Sequence, residues 1–145
     1  MNHVLSLEVE KLHIKRLDNI ENLEHTPVWI VHGEWDRAIG GGVSVEHSRQ
    51  MASSLESKGF SYTYTEIPSA GHSDCRTPEM LEEIVPWLLS KIKLRKPKHV
   101  SLATYTLRHN KSYWIGIEQM ERYGHKASVE ARLSEDGIEI STQNV

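Results

Sequence analysis

Residues 27–36, PVWIVHGEWD, and 61–72, SYTYTEIPSAGH, decide how this chain is read. Val28 to Val31 is a short, unbroken apolar run bounded by Pro27 and Gly33. A run of that length without polar alternation fits a strand covered on both faces, as in a parallel sheet. Residues 61–67 read as a second strand. Between the two, Ser44 can cap a helix whose first turn carries Glu46, where the helix dipole favours a negative charge. Met51 and Leu55 mark its buried stripe, it runs to about Lys58, and Gly59 sits where a glycine terminates helices. Strand, helix and strand within forty residues make a βαβ unit, right-handed by the general rule for such crossovers.

Working outward, Thr77 caps a further helix with Pro78 at its first position and Glu79 behind it. Leu81, Ile84, Val85, Leu88 and Ile92 repeat at helical spacing, and Pro86 predicts a kink or two short helices in series. On the other side, Leu5, Val9, Leu12, Leu17, Ile20 and Leu23 predict a helix within residues 1–25, ended by His25-Thr26-Pro27. After the basic, proline-containing run KIKLRKPK the period falls toward two, in HVSLATYTL, SYWIGIEQM, ASVEARL and GIEIST. Three or four antiparallel strands are expected there, with Asp136-Gly137 as a two-residue hairpin turn. The expected organisation is therefore 1–95 and 96–145. The end at Thr142-Gln143-Asn144-Val145 reads as cut rather than finished.

The 145 residues suffice for one modest domain, and a net charge of −3 gives no electrostatic case for nucleic acid or an anionic membrane. No apolar stretch is long enough to span a bilayer, and the N-terminus lacks the apolar core of a signal peptide. Neither nucleic acid nor membrane is expected as a partner, and localisation stays open. One cysteine, Cys75, allows no intramolecular disulfide and nothing beside it argues for a lowered thiol pKa. The nine histidines are scattered without metal-ligand spacing, so no metal or organic cofactor is expected.

Two loops can carry chemistry. Each leaves the C-terminal end of an expected parallel strand, where open α/β sheets bind their ligands. The first holds Asp36 and the second holds His72, thirty-six residues later. A carboxylate beside an imidazole fixes the ring's tautomer and stabilises its cation, which makes the histidine a general base for a hydroxyl nucleophile. The order Asp then His is the second half of the Ser…Asp…His order of α/β-hydrolases.

The stretches TPVWIVHGEWDRAI, VEHSRQMASSLESKG, YTEIPSAGH and IVPWLLSKI resemble the C-terminal part of the prolyl oligopeptidase-like branch of the α/β-hydrolases. The resemblance covers residues 20–93. It implies an α/β fold: the C-terminal βα portion of a hydrolase domain, followed by a small antiparallel β appendix that resembles one on some bacterial members. It also implies that Asp36, in the HG-x-x-D motif, is the triad acid and that His72, in the AGH motif, is the triad base. Trp35 is a candidate for substrate contact. No G-x-S-x-G nucleophile elbow occurs; Gly42-Val43-Ser44-Val45-Glu46 has the wrong last residue and opens the wrong helix. The glycine run Gly40–Gly42 lengthens the loop after Asp36.

The remaining candidates have plain readings. His32 follows its strand and is expected to be structural. His47 reads as solvated, and His13, His25, His99, His109 and His125 as surface residues without partners. Ser44 and Ser48 are cap and helix surface, while Ser73 and Asp74 shape a loop. Trp29, Trp87 and Trp114 are expected in the core.

The first functional expectation is the C-terminal segment of a serine-type peptidase or esterase, acting on a peptide, amide or ester bond and inactive alone for want of the serine. Its partners would be that substrate and an N-terminal half supplying the nucleophile. The second is a nucleophile-free interaction module. The third is a truncated remnant of weak stability. In the last two, the open edge at 28–32 would pair with another chain or with a second copy.

Overall fold

The computed structural model describes residues 18–37, 42–75 and 77–145. The helix expected within residues 1–25 lies, up to residue 17, outside the described residues. From Ile20 to Leu23 the chain forms a 3₁₀ turn. The chain divides into two compact units, Thr26–Lys93 and a second that joins the segment ending at His25 to Leu94–Val145. Residues 18–25 thus group with the C-terminal strands, where the sequence placed them with residues 26–95.

The first unit is an α/β arrangement. Strand β1 (Val28–Gly33) pairs in parallel with β2 (Tyr62–Ile67), with Val28 opposite Tyr62 and Gly33 opposite Ile67. Helix α1 (Val45–Ser57) connects them, and Ser44 Oγ accepts from the Glu46 amide at its start. Val45, Ala52 and Leu55 are its buried stripe. Leu55 is fully buried, a gain of roughly 1.5–3 kcal/mol over an exposed leucine. Gly59 (φ +69) takes the left-handed conformation after the helix.

Side-chain alternation sends β1 residues to opposite faces. His32 reaches Ser48 of α1. On the same face Arg49 of α1 grips the Glu66 carboxylate of β2 through both Nε (3.0 Å) and Nη2. That two-pronged bond, with one from Tyr64, holds the Glu66 carboxyl down to about 2. The opposite face carries Trp29, whose Nε1 donates to Thr65 Oγ1 at 3.0 Å. Its ring meets Trp87 of α2 (Pro78–Leu89) edge-on, centroids 5.4 Å apart.

Helix α2 is one continuous helix with Pro86 inside it, capped by Thr77 Oγ1 accepting from the Met80 amide at 3.2 Å. No residue of α2 is buried. Leu81, Val85 and Leu88 are each about half exposed, so only one side of this apolar helix is covered.

In the second unit, β3 (His99–Thr104), β6 (Ala127–Leu133) and β7 (Ile138–Gln143) form an antiparallel sheet in the order β3-β6-β7. Two-residue strands β4 (Lys111–Ser112) and β5 (Ile115–Gly116) make a separate hairpin. The strand expected over SYWIGIEQM is cut short because Tyr113 turns with φ +50. The turn between β6 and β7 spans four residues rather than two, since Leu133 pairs with Ile138. Ser134 N donates to Gly137 O at 2.9 Å, and Gly137 has φ +142.

Val100, Leu102, Ile115, Ile117, Met120, Ala127, Val129 and Ala131 form this unit's core. Ile117 is fully buried there. Ile117→Ala is expected to cost about 3 kcal/mol through lost transfer energy and the cavity left behind, read as a lower urea midpoint for this unit.

His25 and His99 are not the partnerless surface residues expected. His25 Nε2 donates to the His99 carbonyl at 2.7 Å. His99 Nδ1 contacts Glu24, and its Nε2 lies 2.9 Å from Glu130 Oε1. Their sequence separation of more than seventy residues hid this cluster. The Glu24 hydrogen bond, helped by Glu130 and opposed by burial, raises the His99 pKa above 6.5. The cluster's contribution to stability is therefore complete below about 6.5 and lost as pH rises through the higher folded value. Thermal melts followed by Trp114 fluorescence should fall across that alkaline limb, and His99→Gln should flatten the dependence.

Candidate functional site

Gly33 ends β1 where the loop after β2 crosses it. A Cβ at Gly33 would lie 2.4 Å from the Ala70 carbonyl oxygen and 2.7 Å from that of Gly71. Both are backbone atoms, so only glycine lets the two loops touch. Three hydrogen bonds lace the crossing: Glu34 N to Ile67 O (3.0 Å), Trp35 N to Ala70 O (2.9 Å) and Ser69 N to Glu34 Oε2 (2.8 Å). Beyond the crossing, Asp36 N donates back to Gly33 O at 3.1 Å. The partner loop is folded by Asp74, whose Oδ2 accepts from Gly71 N at 2.7 Å, and the Cys75 thiol donates to Gly71 O at 3.7 Å. Asp74 thus has the loop-shaping part expected of it.

This lacing brings Asp36 and His72 together. His72 Nδ1 lies 2.9 Å from Asp36 Oδ2. A carboxylate only accepts, so the neutral ring carries its proton on Nδ1 and its lone pair on Nε2. The His72 side chain is 56% exposed against 5% for Asp36, which leaves the ring open to solvent. Among the described residues, none forms a hydrogen bond to His72 Nε2. Such a ring can take a proton from a hydroxyl or water, and the buried carboxylate stabilises the cation that forms.

Asp36 has further partners. Its Oδ1 accepts from the Val43 amide at 3.0 Å, and His32 Nε2 lies 3.1 Å from Oδ2. Gly42 makes this possible, since a Cβ there would fall 2.0 Å from Oδ1. Burial pushes the Asp36 carboxyl upward. The His72 hydrogen bond, the Val43 amide and the two imidazoles outweigh it and hold the group below 3.8. Its stabilising contribution is present above 3.8 and lost as pH falls through the lower folded value.

Trp35 stands beside this pair with 58% of its surface exposed. Trp29 and Trp87 are half-buried. Trp114, expected in the core, is 39% exposed; its Nε1 is spent on the Pro97 carbonyl at 2.8 Å. With Tyr113, Leu133 and Ile138 it lines an open groove in the C-terminal unit. His47 is half-buried rather than solvated. Sequence reasoning gave His32 a structural part but missed its contact with Asp36. The four-residue spacing of the two was the available signal. Val43 and Gly42 carried none, because their contribution is made by backbone. Among the described residues, no group of three or more His, Cys, Asp or Glu is placed to hold a metal ion, and no helix is long and apolar enough to cross a membrane.

No protein-family profile, curated protein or solved structure matches the chain.

Proposed function

We propose that the unit Thr26–Lys93 is the acid–base half of a serine-type hydrolase of the prolyl oligopeptidase-like class. What supports this above all is the 2.9 Å bond between Asp36 Oδ2 and His72 Nδ1 at the C-terminal ends of two parallel strands. In this reading His72 Nε2 takes the proton of a serine hydroxyl as it attacks a peptide, amide or ester carbonyl, then returns it to the leaving group. Asp36 holds the ring and offsets its charge. The serine and the oxyanion donors come from a polypeptide half that pairs with this one. Trp35 flanks the substrate. No metal or organic cofactor enters these steps.

The half-exposed Leu81, Val85 and Leu88 of α2 fit a surface made to be covered by that half. They equally favour a second reading, an interaction module that docks through this face or the edge of β1 without chemistry. The two readings separate on mixing the chain with a matching N-terminal half that carries the serine and assaying p-nitrophenyl esters and peptide anilides. The hydrolase reading requires turnover that disappears in His72→Gln. A folded product whose turnover is unchanged by that substitution would sink it.

A further inference from the structure

We infer that His32 is the positioning residue of the Asp36–His72 pair, locking the Asp36 carboxylate through Val43 while Ser48 locks His32 itself; this rests on the acid–base reading above. His32 Nε2 lies 2.9 Å from the Val43 carbonyl oxygen, a group that only accepts, so Nε2 carries the ring proton. Nδ1 is then an acceptor, and Ser48 Oγ donates to it at 2.6 Å. Both ring nitrogens are occupied, and the ring is largely buried, with 12% of its side chain exposed.

The result is a closed circuit. The Val43 amide donates to Asp36 Oδ1, and the Val43 carbonyl accepts the hydrogen bond from His32 Nε2–H. The protonated edge of His32 then lies 3.1 Å from Asp36 Oδ2, the same oxygen that receives His72 Nδ1–H. One carboxylate oxygen thus faces two imidazole N–H groups, and the other is held by backbone. A carboxylate restrained at both oxygens cannot rotate away from His72. Ser48 sits on α1, so the orientation of the exposed ring is set from a helix on one face of the sheet. His72 contributes only one end of this chain; His32 and Ser48 contribute its anchor.

The test is imidazole ¹⁵N–¹H correlation NMR on the full chain with the rings neutral. The unsubstituted protein should show His72 as the Nδ1–H tautomer and His32 as the Nε2–H tautomer. His32→Phe keeps a flat ring but donates nothing. It should lower the Nδ1–H to Nε2–H ratio on His72 by about tenfold, the scale of one charge-assisted hydrogen bond. His32→Gln, whose side-chain amide can donate toward Val43 and Asp36, should restore most of that ratio, which a purely packing role would not do. Should His32→Phe fail to fold, Ser48→Ala serves. It should mix the His32 tautomers and lower the His72 ratio in the same direction, less steeply. An unchanged His72 ratio in folded His32→Phe, or in Ser48→Ala, would overturn the positioning role and leave the acid–base pair standing. If His72 of the unsubstituted protein is itself mainly the Nε2–H tautomer, the pair is absent and both readings fall.

Discussion

If Asp36 and His72 act as the acid–base pair proposed above, Asp36→Asn should lower turnover by roughly 10⁴-fold while leaving the chain folded. The size of the effect comes from the tautomer. Asp36 presents only acceptors to His72 Nδ1 at 2.9 Å and so forces the lone pair onto Nε2. An asparagine can turn its amide toward Nδ1 and donate, which places the ring proton on Nε2, where it blocks the general base. The substitution also removes the negative charge that stabilises the imidazolium. Volume and shape are nearly kept, so the chain should still fold, with a lower urea midpoint because the stabilising contribution of the ionised Asp36 carboxylate is lost. A fall of less than tenfold in kcat would mean that His72 does not need Asp36, and the pair would be structural.

The second large effect is on stability. Gly33→Ala puts a methyl group 2.4 Å from the Ala70 carbonyl oxygen. That oxygen already receives Trp35 N, so relief requires both loops to part and their lacing bonds to break. We expect a loss of about 3 kcal/mol, the upper end for over-packing. The first unit has few fully covered residues to offset it: Val45, Ala52, Leu55 and Ala70 are its buried apolar side chains among those described. Most of its margin should go, seen as a lower urea midpoint by Trp29 and Trp87 fluorescence and as loss of the His72 Nδ1–H signal. Gly59→Ala is the contrast. Gly59 has φ +69 but open space around its Cβ position, so only about 1 kcal/mol is at stake. Equal effects of the two substitutions would contradict a steric role for Gly33.

What could be read from sequence follows the range of the forces involved. β1, α1, β2 and the caps Ser44 and Thr77 were legible because each depends on neighbours within a turn or a strand. Asp36 and His72 were legible as a pair because a βα unit carries successive parallel strand ends to the same edge. The clasp around Asp36 was not, since Val43 acts through its backbone and Gly42 through the absence of a side chain. His25 and His99 were misjudged because their partners come from distant parts of the chain, the His99 carbonyl for His25 and Glu24 with Glu130 for the His99 ring. The β4–β5 interval was overextended because alternating residues hide the positive φ at Tyr113. The apolar residues of α2 repeat at helical spacing as read, yet Leu81, Val85 and Leu88 stay half exposed. Periodicity reports which side chains share a helix face, not whether anything covers that face.

The most direct test of the central claim is labelling by a fluorophosphonate, which bonds to an activated serine as fluoride leaves. With a matching N-terminal half supplied, one serine of that half should take up the probe, and His72→Gln in this chain should abolish that uptake. Labelling that is absent altogether, or that persists undiminished in His72→Gln, would contradict the assignment of Asp36 and His72 as the acid–base pair of a serine hydrolase.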